Sequence, residues 1–401
     1  MTGFNTQLVH GKEIKDNNTG AINMPIYNSS TYQYPKIGDK VRWDYARSGN
    51  PTREFLEKQV AQLENGACGF AFASGMAAIH AVFAIFKPGD HILIGQQLYG
   101  GTYRLINQYF KLQGITFTTV DTRNLKKVEE AIQDNTKAIY FEPVTNPLLH
   151  VTSVKKIAAV AKRHNILTIV DNTFLTPYLQ KPLDLGADFV VHSATKYLSG
   201  HSDVIAGLVV AKTFALGEKI YFVQNALGGV LSPESANLVR RGIQTLSVRL
   251  DRQQQNVAAI ISFLQGRREV VQINYPGISG TKDHEIAQHE CRGFGGVFSF
   301  TLSPAVNASS FVNHLRLLKL AVSLGAVESL VEIPYEMSHA ELPPRERINA
   351  GITPQLIRCA IGIEDSEDLI ADIKSALAAA VIPKNSTVVS LLNSKGTLVN
   401  K

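Results

Sequence analysis

Between Cys68 and about Val210, short apolar runs alternate with longer helical stretches, and this alternation constrains the fold more than any other feature of the chain. His91 to Gly95, Ile115 to Asp121, Lys137 to Val144, Ile166 to Val170 and Phe189 to Val191 are rich in Ile and Val and bounded by Gly, Asn, Asp or Pro. Strands buried on both faces read as continuous apolar runs, and parallel neighbours need a crossover between them, which the intervening helices supply. The pattern predicts an α/β chain on a large, mainly parallel sheet. At 401 residues and 45% hydrophobic, the chain can bury a full core and should divide in two. Residues 1–60 are rich in Tyr, Asn, Pro and Gly and show no periodicity before a helix near Arg53 to Glu64. The large domain is expected over 61–250. A long amphipathic stretch, Glu234 to Gln265, then leads to a smaller C-terminal α/β domain over 251–383. Within it, Gly296 to Leu302 and Leu356 to Ile363 alternate as half-buried strands, with helices from about Asn307 to Leu318 and Ser366 to Ala380. Residues 384–401 read as a polar tail of no catalytic role.

Open α/β sheets bind ligands at the carboxyl ends of their strands, so the residues there are the first candidates for chemistry. Asp171 follows Ile166 to Val170. Twenty-five residues on, Phe189 to Val191 runs into His-Ser193-Ala-Thr195-Lys196 and a turn closing on Gly200. Two hydroxyls beside an amine suit a phosphorylated aldehyde, and pyridoxal 5'-phosphate is the common cofactor of that description. Asp171 would hold a pyridine nitrogen protonated. Alone, Ser-x-Thr-Lys is usually a solvated surface turn, and an aspartate at a strand end is as often a helix cap. The two together favour the cofactor. Ser74-Gly75-Met76 adds a third element, a strand-to-helix turn whose backbone amides and helix N-terminus suit a phosphate.

With these segments in view, the chain resembles the Cys/Met-metabolism family of fold-type I pyridoxal phosphate enzymes. The resemblance runs from about Thr6 to about Ala380 and rests on motifs in order. They are Thr19-Gly-Ala-Ile-Asn-Met-Pro-Ile-Tyr27, Tyr45-Ala-Arg-Ser-Gly-Asn-Pro-Thr52, Ala73-Ser-Gly-Met-Ala-Ala78 and Leu98-Tyr-Gly-Gly-Thr-Tyr-Arg104. The Asp171 and Lys196 segments follow, then Ser323-Leu-Gly-Ala-Val-Glu-Ser329 and Arg358-Cys-Ala-Ile-Gly-Ile-Glu364. The resemblance implies an aspartate-aminotransferase-like fold, with Lys196, Tyr99 and Asp171 catalytic. Tyr99 is expected to stack on the cofactor ring with Thr173 beneath it, and Asn146 to bond its phenolic oxygen. Tyr45 and Arg47 would reach a neighbouring subunit's site from the 1–60 arm, which implies a homo-oligomer, a dimer of dimers. Arg358 would clamp the substrate α-carboxylate with Ser323, Asn146 and Tyr45 nearby, and Arg104 would face the distal end.

Within the family, Gly101 stands where methionine γ-lyases usually carry cysteine. Val322 is apolar where several γ-lyases and synthases are acidic. The expected activity is cleavage of L-cystathionine, γ-elimination favoured, with some β-elimination and hydrogen sulfide release. Cystathionine γ-synthase or O-acylhomoserine sulfhydrylase is the alternative, and a non-catalytic cofactor-binding paralogue is a remote one. The substrate expected is a small sulfur-containing amino acid. Other partners are not expected. The net charge of +6 is scattered, with no basic cluster for nucleic acid, and no apolar run approaches a membrane span. The three cysteines, Cys68, Cys291 and Cys359, have no metal-ligand spacing and point to a reducing cytoplasm.

Overall fold

A computed structural model describes residues 3–11 and 19–382; the 384–401 tail lies outside the described residues. The first sheet contains β1 (Cys68–Phe72), β2 (His91–Gly95), β3 (Thr116–Val120), β4 (Thr136–Phe141), β5 (Leu167–Asp171), β6 (Phe189–Ser193) and β7 (Gly207–Ala211). Their order is β1-β7-β6-β5-β4-β2-β3. β7 pairs antiparallel with both β1 and β6, while the remaining pairs are parallel. Because two reversals cancel, β1 runs in the same direction as β6. The carboxyl ends of β1, β6, β5, β4 and β2 therefore open on one edge, and every strand-end motif found in the sequence arrives there.

The second sheet holds β8 (Val270–Asn274), β9 (Val297–Leu302), β10 (Lys319–Leu320), β11 (Leu330–Glu332) and β12 (Leu356–Ala360), in the order β10-β11-β12-β9-β8. Only β10 and β11 pair in parallel. In the register of this sheet, Arg358 lies directly opposite Glu332 on one side and Ser299 on the other. Directly opposed residues share a face, so the pairing brings the two charges together.

The expected amphipathic stretch resolves into two helices, Pro233–Gln244 and Leu246–Leu264, broken at Thr245. The second helix belongs to both cores. Leu246 and Leu250 pack with the first sheet, and Val257, Ile260, Ile261 and Leu264 with the second. The position expected to divide the domains, near residue 250, thus falls inside a continuous helix. Two other elements differ from expectation for local reasons. The Asn307 to Leu318 helix stops at His314, because the Asp372 carboxylate takes the N–H groups of Arg316, Leu317 and Leu318 at 2.8–3.3 Å and competes with the helical ladder. β4 ends at Phe141, two residues before Pro143, which has no N–H to donate. A helix missing from the sequence reading, Phe4–His10, buries Leu8 in the large core, and Leu8's carbonyl accepts from Gln59 Nε2 at 2.8 Å. The start of the 1–60 segment therefore packs on its own chain. Among the described residues no helix is long and apolar enough to cross a membrane.

Candidate functional site

A cavity of about 280 Å³ lies between the carboxyl edge of the large sheet and the small sheet. Its walls include Ser74, Gly75 and Met76 after β1, Tyr99 after β2, Asn146 beyond β4, Asp171 and Thr173 at the end of β5, and Ser193, Thr195 and Lys196 at the end of β6. Ser323 and Arg358 close it from the small sheet. The structure thus brings together, from seven places in the chain, most of the residues picked out by sequence.

One end of the cavity is an anion cradle. Ser74 caps the helix Gly75–Phe83 by accepting from the Ala77 N–H at 3.1 Å. The first N–H groups of that helix have no intrahelical acceptor and carry its partial positive charge. A Cβ on Gly75 would stand 2.9 Å from Ser193 Cβ, so only glycine lets the turn approach β6 this closely. β7 passes closer still: a Cβ on Gly207 would meet the Ser74 carbonyl oxygen at 2.1 Å.

At the end of β5 the Asp171 carboxylate is 7% exposed and makes no salt bridge among the described residues. It accepts from the Thr173 N–H at 3.1 Å, from the Thr173 hydroxyl, and from the Tyr140 phenol at 3.2 Å. Thr173 Oγ1 also accepts from the Ser193 N–H at 2.8 Å, which ties the ends of β5 and β6 together. Burial pushes the Asp171 carboxyl up, while the Thr173 hydrogen bonds pull it back. Its neighbour Glu142 is pushed well above the usual carboxylate range, first by burial and then by the charge of Asp171. Glu142 Oε1 accepts from the Tyr99 N–H at 2.7 Å and so fixes the backbone from which that ring projects.

Opposite these groups, the Lys196 amine donates to Ser323 Oγ at 2.9 Å. Burial lowers its pKa to about 8, and the nearby Arg358 charge adds to the effect. Arg358 is 3% exposed. Its Nη1 pairs with Glu332 Oε1 at 3.0 Å and reaches Asn146 Oδ1 at 3.3 Å, and its Nη2 donates to the Ser323 carbonyl at 2.6 Å. Ser323 serves both cations from a backbone with φ of 99°, where residues other than glycine are strained.

Three expected residues stand elsewhere. Arg104 lies on the helix Gly100–Gln108 and pairs with Glu341, both side chains half exposed, outside the cavity wall. Tyr45 is 48% exposed, and Arg47 donates to Asn225 Oδ1 at 2.9 Å. Neither lines the cavity of its own chain. Conversely, Glu142, Tyr140, Glu332 and Ser338 were not picked out by sequence. Glu142 had a signal, a carboxylate at a strand end before proline. Glu332 had none, because its place beside Arg358 depends on strand pairing.

The residues fit pyridoxal 5'-phosphate on the structure's own terms. The cradle at Gly75 suits a phosphate, and Lys196 is an amine with a depressed pKa. Asp171 is a buried carboxylate that makes no salt bridge among the described residues and whose ionised form burial disfavours, a setting that a cation such as a protonated ring nitrogen would relieve.

Comparison with known proteins agrees. Residues 5–378 match the family described as Cys/Met metabolism PLP-dependent enzyme. The chain is 49% identical over 372 residues to a cystathionine gamma-lyase of Bacillus subtilis (strain 168), covering 93% of this chain and 98% of the relative. It is 48% identical over 377 residues to a cystathionine beta-lyase of Lactococcus lactis, covering 94% and 99%. Among solved structures, cystathionine gamma-lyase from Lactobacillus plantarum complexed with L-serine superposes with a TM-score of 0.92 at 50% identity, over 94% of this chain and 99% of that one.

Proposed function

The chain belongs to the Cys/Met-metabolism family of pyridoxal-phosphate-dependent enzymes, and on that premise we propose that it is a cystathionine lyase, γ-elimination favoured. In balance, L-cystathionine and water give cysteine, 2-oxobutyrate and ammonia. The observation that carries the reading is the Lys196 amine, set between a carboxylate clamp and an anionic strand end. Lys196 Nζ stands on Ser323 beside Arg358, across the cavity from Asp171.

When bound, the cofactor supplies an electron sink for the carbon that loses its proton. The chain's own groups do the rest. Helix amides at Gly75 and Met76, with Ser193 and Thr195, would hold the phosphate. Asp171 would keep the ring nitrogen protonated, with Thr173 and Tyr99 as the residues to hold the ring. Asn146 would bond the phenolic oxygen and Arg358 the substrate α-carboxylate. Lys196, neutral above about pH 8, takes the proton from Cα. The γ-route requires the same amine to reach Cβ as well, and its tether to Ser323, a single hydrogen bond, leaves it free to swing. Tyr99 assists departure of the sulfur group.

Val322 and Ile205 line the cavity, 55% and 66% exposed, and offer no charge to a distal ammonium, so the choice between lyase and synthase falls to the products formed. Measuring 2-oxobutyrate against pyruvate from L-cystathionine tests the reading. Pyruvate in excess would move the enzyme to β-elimination. Cystathionine formation from an O-acylhomoserine and cysteine, if faster than elimination, would replace the lyase by a synthase.

The active unit in this reading is a dimer within a dimer of dimers, where Tyr45 and Arg47 serve the partner's phosphate. Their exposure supports it, as do Phe214, Phe222 and Leu227, which leave apolar surface uncovered at 62–73% exposure. Mixing Arg47→Ala with Lys196→Ala protein under subunit exchange should recover activity above the sum of the parents. No recovery with exchange verified refutes the shared site.

A further inference from the structure

Arg358 has five N–H groups in a planar fork, and where each of them goes decides how it can hold a ligand. Nη1 is taken by Glu332 Oε1 at 3.0 Å and Asn146 Oδ1 at 3.3 Å. Nη2 gives one hydrogen to the Ser323 carbonyl at 2.6 Å. Nε is buried and has no acceptor among the described residues. What remains is Nε–H with one hydrogen of Nη2, and Nε and Nη2 form one edge of the fork. That edge has the spacing for the two oxygens of one carboxylate.

Glu332 decides which edge is left. It is fully buried, sits opposite Arg358 in the β11–β12 register, and Ser338 Oγ donates to its Oε1 at 2.8 Å. Ser338 lines the cavity, and its hydroxyl lies 2.9 Å from His339 Nδ1. His339 in turn bonds the Asn146 backbone, so the chain of contacts returns to the other Nη1 acceptor. A guanidinium gripped at Nη1 by two acceptors on a closed network cannot turn about its Cδ–Nε bond without breaking both.

We propose that Glu332 is a positioning residue for the substrate α-carboxylate: by holding Nη1 of Arg358 it presents the Nε–Nη2 edge to the ligand. This rests on the assignment of Arg358 as the carboxylate clamp. Glu332 does not touch substrate in this scheme. Its effect is confined to ligands that bear a carboxylate.

The test titrates the holoenzyme with glycine and, separately, with ethanolamine, which has the amine but no carboxylate, and follows the cofactor absorbance. In Glu332→Gln protein the Kd for glycine should rise about tenfold while that for ethanolamine stays within about twofold. A glycine Kd within about twofold of the parent overturns the proposal. So does tighter glycine binding, which would make Glu332 a competitor of the ligand, and so does an equal loss for both amines, the mark of a general structural defect. Should the Gln variant not fold, Glu332→Asp, which withdraws the carboxylate by one methylene, is judged by the same criteria. An Arg358→Lys arm separates the two levels: if it leaves glycine binding unchanged, the clamp assignment itself fails, whereas loss with Arg358→Lys but none at Glu332 refutes only the positioning role.

Discussion

Asp171→Asn separates what that carboxylate does for the reaction from what it does for the fold. The substitution conserves shape, and an amide oxygen can still accept from Thr173, whose N–H and hydroxyl both meet the same Asp171 oxygen. What disappears is the charge. An ion pair at a hydrogen-bonding distance of about 2.8 Å, with an effective dielectric constant of about 20, is worth about 6 kcal/mol before desolvation. If half survives, the loss is about 3 kcal/mol, or about a hundredfold in kcat/KM. The fold should respond in the opposite sense. Burial raises the folded-state pKa of Asp171, so its ionised form destabilises the native state. That penalty is absent below the unfolded-state pKa, grows as pH rises towards the folded-state value, and is complete above it. At neutral pH the cofactor-free Asn variant should therefore melt at or above the parent's temperature, with a flatter pH dependence. The assays are steady-state cleavage of cystathionine and thermal melts of apo-protein at several pH values. An Asn variant within about tenfold of the parent's kcat/KM would refute the charge argument. A destabilised apo-protein would show that Asp171 is held for its hydrogen bonds instead.

Two further outcomes follow from the same geometry. Because a protonated amine is no nucleophile, apo-protein should take up pyridoxal phosphate at a rate that climbs with pH through about 8 and then levels. Arg358→Met should move that midpoint upward by removing the second cause of the depression; a rate independent of pH from about 6 to about 9 would contradict this. Gly75→Ala puts a methyl 2.9 Å from Ser193 Cβ. Overpacking of this kind costs about 1–3 kcal/mol, and here it should appear as weaker cofactor binding with the fold retained, measured by equilibrium titration beside a denaturant melt. Unchanged affinity would mean that the cradle lies elsewhere.

The limits of the sequence reading can be seen residue by residue. Asp171, Lys196 and Ser74 were legible because each ends a strand whose apolar run is a local signal, and in a parallel sheet a strand end is already an address. The reversal of β7 was not legible, although it is what turns the end of β1 towards the same edge as β6. The shortened Asn307 to Leu318 helix was hidden too, since the Asp372 carboxylate that ends it comes from more than fifty residues away. Arg358 could be picked out only by resemblance, as a lone arginine on an alternating strand carries no mark of its function.

By itself, then, the order of residues determined the α/β class, the cofactor and the groups on strand ends, because hydrophobic period and turn chemistry act between near neighbours. Tertiary structure decided how those groups are held. Glu332 meets Arg358 through strand register, Glu142 and Asp171 share a buried site from adjacent strands, and Ser323 binds Lys196 and Arg358 from a left-handed turn. Each of these depends on distances through space between residues far apart in the chain, and electrostatics in a buried site follows those distances together with the burial around them.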